Sequence, residues 1–185
     1  DETDNDQDGL ADCLDPDCAS APNCLGDGDD EDAAGDDEKL CGDEDTSVEP
    51  VFCAGDYVVD ASDTASDLAL VAGCQVIEGS LNVSGTSLTD LNGLSCLTSV
   101  GADFTLIDNQ SLTNVNGLSS LSSVTGKTRF INNNSLTAVT GLLSLNSSAG
   151  GLYIHRSGAL TDIDGLSNLN SLGEEGGIEL FELPS

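Results

Sequence analysis

Methionine and tryptophan are absent, aromatic residues make up 3% of the chain, and four lysines and arginines face 34 aspartates and glutamates. Each scarcity excludes something. With so few rings, a thick core built on aromatic side chains is not available, and Leu, Val and Ile must fill thin layers instead. A net charge of −30 argues against nucleic acid or an anionic membrane as partner, because both need cations on the protein. No apolar run reaches the length of a membrane span, so direct membrane insertion is not expected. The single histidine, His155, has no Ser-His-Asp pattern around it, and the cysteine spacings lack the paired C-x-x-C of zinc sites.

What is present is unevenly placed. Twenty of the acids lie in residues 1–50, where Lys39 is the only cation. The chain therefore divides into an Asp-rich, cysteine-containing segment (1–24), an acidic linker (25–52) kept open by like charge and low hydrophobicity, and a body rich in Ser, Thr, Asn and Gly (53–185). Seven cysteines, at 13, 18, 24, 41, 53, 74 and 96, are dense enough to point to an oxidising compartment. Their odd number leaves one free or paired beyond this sequence. An export signal is removed from a mature secreted chain, so its absence does not favour the cytoplasm.

The body repeats itself. Val100, Phe104, Leu106, Leu112, Val115, Leu118 and Leu121 return 24 residues later as Val124, Thr128, Phe130, Leu136, Val139, Leu142 and Leu145. They return again as Ser148, Leu152, Ile154, Leu160, Ile163, Leu166 and Leu169, and an upstream copy runs from Ile77 to Leu97. A partial fifth copy includes Ile178 and Leu180. Each copy holds a short alternating stretch that reads as a strand, a polar turn, and an L-T-x-hydrophobic-x-G-L segment. Gly93, Gly117, Gly141 and Gly165 recur in that segment, where a corner needs either φ > 0 or a close backbone approach. One repeat cannot bury its own apolar side, whereas stacked repeats can. The expectation is a mainly β chain: a right-handed, leucine-rich, β-helix-like solenoid of about four to five coils.

Thr86, Asn109, Asn133 and Ser157 share one place in successive repeats, three residues past the second inward strand position. This column is expected to face inward at a bend and to hydrogen-bond the turn backbone of the adjoining repeat. Asn109 and Asn133 also begin N-x-S sequons, as do Asn82 and Asn146; the structural role is preferred for the two ladder asparagines.

The run Gly73-Cys74-Gln75-Val76-Ile77-Glu78-Gly79-Ser80-Leu81-Asn82-Val83, the segment Leu91-Asn92-Gly93-Leu94 and the L-T-x-V-x-G-L blocks resemble the receptor L domain. That is the leucine-rich module of insulin and epidermal growth factor receptors, which also occurs in bacterial surface proteins. The resemblance runs from Cys53 through Leu180. It implies a non-enzymatic protein-binding or spacing module, and a disulfide between Cys74 and a cysteine at the domain start, here Cys53. Cys74–Cys96 is a competing pairing, and Cys96, beside the inward Leu97, is otherwise a buried free thiol.

Residues 4–15 fit a twelve-position calcium loop. Asp4, Asp6 and Asp8 take positions 1, 3 and 5, Gly9 the sharp turn, Leu10 the carbonyl position, and Asp12 and Asp15 positions 9 and 12. Hard Ca²⁺ prefers such a cage of oxygens. Asp stands where an EF-hand has Glu, and Pro16 follows, so the segment resembles the helix-poor calcium repeats of thrombospondin type 3.

The outward strand positions form the candidate binding face. Lys127, Arg129 and Arg156 are three of the four cations and fall in two adjoining repeats, with Ile107, Ile131, Tyr153 and His155. Arg, Tyr and exposed apolar groups together have the composition of an interface hot spot. Arg129 and Arg156 are not accompanied by a carboxylate cluster of the kind a calcium-dependent lyase needs. The expected function is extracellular or bacterial cell-surface recognition of a protein or glycan. The alternative is a structural spacer without a ligand of its own.

Overall fold

The computed structural model describes residues 50–173 and 177–182. The calcium loop expected at 4–15 and most of the acidic linker lie outside these residues.

The described chain is mainly β, with one α-helix. In order it contains β1 (Phe52–Cys53), β2 (Tyr57–Asp60), α1 (Thr64–Val71), β3 (Val76–Ile77), β4 (Leu81–Ser84), β5 (Ser99–Val100), β6 (Phe104–Ile107), β7 (Ser123–Val124), β8 (Thr128–Ile131), β9 (Ser147–Ser148), β10 (Leu152–His155) and β11 (Ile178–Phe181). Two parallel sheets result. The smaller has the order β1-β3-β5-β7-β9, and the larger β11-β10-β8-β6-β4-β2. Each repeat but the last contributes one strand to each sheet, the last giving only β11 to the larger, and each strand pairs with its counterpart in the next repeat, so the sequence period is the pairing register. Leu81 faces Phe104, Phe104 faces Thr128, Thr128 faces Leu152, and Leu152 faces Ile178.

Three of the six four-residue strands alternate cleanly in burial. In β4, β8 and β10 the first and third side chains are buried and the second and fourth only partly. The inner column Val83, Leu106, Phe130 and Ile154 is fully buried, and Phe104 meets Phe130 edge to face with centroids 6.0 Å apart. The leucines of the L-T-x-hydrophobic-x-G-L segments complete the core; Leu112, Leu118, Leu136 and Leu142 are all fully buried. Two inward positions carry hydroxyls in place of apolar groups. Thr128 and Ser148 satisfy each other, Oγ1 to Oγ at 2.9 Å, and the Ser148 hydroxyl donates to the Gly151 carbonyl at 2.9 Å.

Each segment ends in a 3-10 turn, at Asn92–Leu94, Asn116–Leu118, Thr140–Leu142 and Asp164–Leu166. The recurrent glycines sit within these turns. A Cβ on Gly117, Gly141 or Gly165 would lie within 2 Å of the carbonyl oxygen of Leu91, Val115 or Val139 in the preceding repeat. Close approach, not positive φ, is the constraint here. At the first such turn, Gly93 packs against the side chain of Leu68 on α1.

Three expectations change. The larger sheet has six strands, so the array starts one repeat earlier than the expected four to five: β2 pairs with β4, and Val59 is fully buried. Helix α1 was not foreseen. Cys53 and Cys74 form a disulfide, which excludes Cys74–Cys96. Cys96 is disulfide-bonded as well and is not a free thiol. No helix among the described residues is long and apolar enough to cross a membrane.

Candidate functional site

The outer side of the larger sheet gathers most of the candidate residues. Because side chains alternate along a strand, the second and fourth residues of each strand point away from the core. Parallel register then aligns them into columns. One column reads Asn82, Thr105, Arg129, Tyr153, Glu179, and the other Ser84, Ile107, Ile131, His155, Phe181. Ile107, Ile131, Tyr153 and His155 are half-buried on this face, and Phe181 is 59% exposed.

The cations on it are already engaged. Arg129 Nη1 donates to Asp103 Oδ2 at 2.8 Å. Arg156 Nε donates to Glu182 Oε2 at 2.8 Å. Lys127 Nζ stands 5.7 Å from the centroid of the Tyr153 ring, within range of a cation–π attraction. Each arginine is reached by one carboxylate from an adjoining repeat. Asp103 also accepts the Lys127 backbone N–H at 2.8 Å. Its partial burial opposes ionisation. The Lys127 N–H, the Arg129 hydrogen bond and the charges of Arg129 and Lys127 outweigh that, and hold its carboxyl below the usual aspartate value.

His155 lies between two rings. Its centroid is 6.4 Å from that of Tyr153 and 5.9 Å from that of Phe181, both in tilted, edge-on arrangements. Its Nε2 is covered and makes no hydrogen bond, although Glu179 Oε2 stands 3.6 Å away. That distance is outside hydrogen-bond range, so the contact is electrostatic at most. The arrangement offers rings and paired hydrogen-bonding groups, not a nucleophile with its base.

Arg156 does not belong to either strand column. It follows β10 in the turn, with φ +53°. Gly85, Asp108, Asn132 and Glu182 follow their own strands in the same left-handed conformation. The Asn132 amide donates to the Asp108 carboxylate, and Asn134 Nδ2 donates to Gln110 Oε1 and Asn132 Oδ1, each at 2.9 Å. A row of exposed amides therefore borders the face. Phe181, Glu179 and Asp103 were not foreseen as members of the site. The alternation in Ile178-Glu179-Leu180-Phe181 was the available signal for the first two. For Asp103 it was an acid one repeat before Lys127.

Beneath this row runs the inner ladder. Thr86, Asn109, Asn133 and Ser157 are all buried. Asn109 Oδ1 accepts from the Thr86 N–H (3.0 Å) and hydroxyl (2.8 Å), and its Nδ2 donates to the Val83 carbonyl at 2.9 Å. Asn133 repeats the pattern one step on, accepting the Asn109 N–H at 3.1 Å and donating to the Leu106 carbonyl at 3.0 Å. Ser157 is too short to continue it, and its buried Oγ has no partner.

No group of three or more His, Cys, Asp or Glu among the described residues is placed to hold a metal ion. The residues expected to bind Ca²⁺ lie outside that set. No protein-family model matches the chain, and a search of the curated proteins finds no match.

Proposed function

We propose that the two sheets are walls of one leucine-rich, receptor L-domain-like solenoid, and that it serves as an extracellular, non-enzymatic recognition module. Its ligand, a protein or glycan, would lie on the outer side of the larger sheet. The observation that carries this reading is the second outward column. Ile107, Ile131, His155 and Phe181 line up in register on the side away from the core, bordered by Arg129 and Tyr153. The strand-by-strand period and the Cys53–Cys74 bond support the L-domain resemblance. In the same reading, Asp4, Asp6, Asp8, Leu10, Asp12 and Asp15 of the acidic segment hold Ca²⁺.

The Arg129→Ala, Tyr153→Ala, His155→Ala triple variant is expected to lose affinity for a partner by at least about tenfold, since such anchors carry most of an interface's energy. Unchanged affinity by calorimetry would sink the site. Calcium titration of the whole chain is expected to show saturable binding that the Asp6→Ala, Asp8→Ala double variant lacks.

One observation favours a second reading, a structural spacer. Arg129 on the face and Arg156 in the turn beside it are already paired within the chain, as they would be on a surface with no ligand of its own. A spacer would retain nothing in a screen of glycans and surface proteins run in calcium buffer.

A further inference from the structure

Arg129 on the outward face and Arg156 beside it are each paired with a carboxylate of the chain, and this narrows what the face can take. Building on the recognition reading above, we propose that its ligand is a neutral glycan, a chain of uncharged sugar rings lying across β8, β10 and β11.

A polyanion would have to displace Asp103 from Arg129 and Glu182 from Arg156, both at 2.8 Å, on a chain of net charge −30. A polycation would have to strip the same arginines from their carboxylates. Sugar hydroxyls need neither. A guanidinium bound to one carboxylate keeps free N–H donors, and the carboxylate keeps free lone pairs. Each pair therefore presents a donor beside an acceptor, the pattern a vicinal diol satisfies.

The rings supply the apolar part. Tyr153, His155 and Phe181 follow one another at 6.4 and 5.9 Å, and Phe181 is 59% exposed. Aromatic surface of this kind buries the C–H face of a sugar while polar groups at its border fix orientation. The amides of Asn132 and Asn134 form that border. Strands in a sheet repeat every ~4.8 Å, close to the length of one sugar ring, so an extended glycan can keep step with the repeats.

The test is to apply the full chain, in calcium buffer, to immobilised neutral polysaccharides (β-glucan, xylan, mannan, chitin oligomers), with heparin as the polyanionic arm and a panel of extracellular proteins as the third. Calorimetry with the soluble hit follows. The expected result is saturable binding to a neutral glycan, changing by less than about twofold between roughly 0.05 and 0.5 M NaCl because the ligand carries no charge to screen. Phe181→Ala should weaken it at least about fivefold. The side chain is mostly exposed, so the thermal unfolding midpoint should stay in place. Arg129→Gln, which cannot hold the Asp103 pair in the same way, should weaken binding as well. Neutral-glycan binding unaffected by both variants would overturn the placement on this face. Salt-sensitive binding to heparin alone would overturn the ligand class. Binding to a protein alone, lost in the Tyr153→Ala variant, would overturn the glycan while leaving the recognition reading intact. No binding in any arm would overturn both.

Discussion

A single side chain decides how far the inner ladder runs. Asparagine at 109 and 133 offers an acceptor to the repeat before it in sequence and a donor to a strand carbonyl; serine at 157 reaches neither, and its hydroxyl is buried unpaired. An unpaired buried polar group costs about 1–3 kcal/mol. Ser157→Asn is therefore expected to raise stability by about 1 kcal/mol, with its amide donating to the Phe130 carbonyl, which stands where Val83 and Leu106 do. Denaturant unfolding checks the gain; a loss would mean the pocket cannot take the larger side chain. The ladder could be read from sequence because its members share chemistry at a fixed offset. The left-handed column could not. Gly85, Asp108, Asn132, Arg156 and Glu182 have no common side-chain property; only their backbone is alike, and Arg and Glu seldom adopt it. For that reason sequence pattern alone placed Arg156 with the strand face.

Among the elements, the N-terminal end is built differently from the rest. Helix α1 fills the place that a turn segment fills in later repeats. It buries Val71 and sets Leu68 against Gly93, while Leu70 is left 66% exposed. Eight residues with so mixed a pattern carry little helical periodicity, and a helix this short depends on its packing against the repeats. The disulfide joins β1 to the end of that helix across 21 residues. A cross-link closing a loop of that size contributes about 3 kcal/mol. Reduction, or a Cys53→Ser, Cys74→Ser variant, is expected to fray β1, α1 and β3 first. Hydrogen exchange would show their amides losing protection while β6, β8 and β10 keep theirs. Uniform loss along the array would mean that the repeats unfold as one unit. From β3 onward the strands were legible down to their register, because a period of about 24 residues and a strand alternation of two leave one pairing that buries every inner column.

The charge of the whole molecule makes its response to acid the sum of opposing terms. Protonating a chain of net charge −30 relieves repulsion, while protonating Asp103 removes its pairing with Arg129. The Asp103 carboxyl is held below its usual value, so its contribution is complete above the unfolded pKa of about 3.9 and fades as pH falls through the lower folded value. The pair is partly exposed, which limits it to under about 1 kcal/mol. Wild type and Asp103→Asn should therefore differ in unfolding free energy near neutral pH and converge as the pH falls below the folded carboxyl's lowered value. A gap that persists in acid would assign the effect to packing and not to charge. The six-strand register also makes the molecule a ruler. Residues 100–123 begin and end at equivalent points, and β5 and β6 meet only β3, β4, β7 and β8 across sheet pairings. Duplicating that block would lengthen the stack by one strand spacing, ~4.8 Å, and deleting it would shorten the stack by the same step. Length in this protein is counted in whole blocks and can be edited as such.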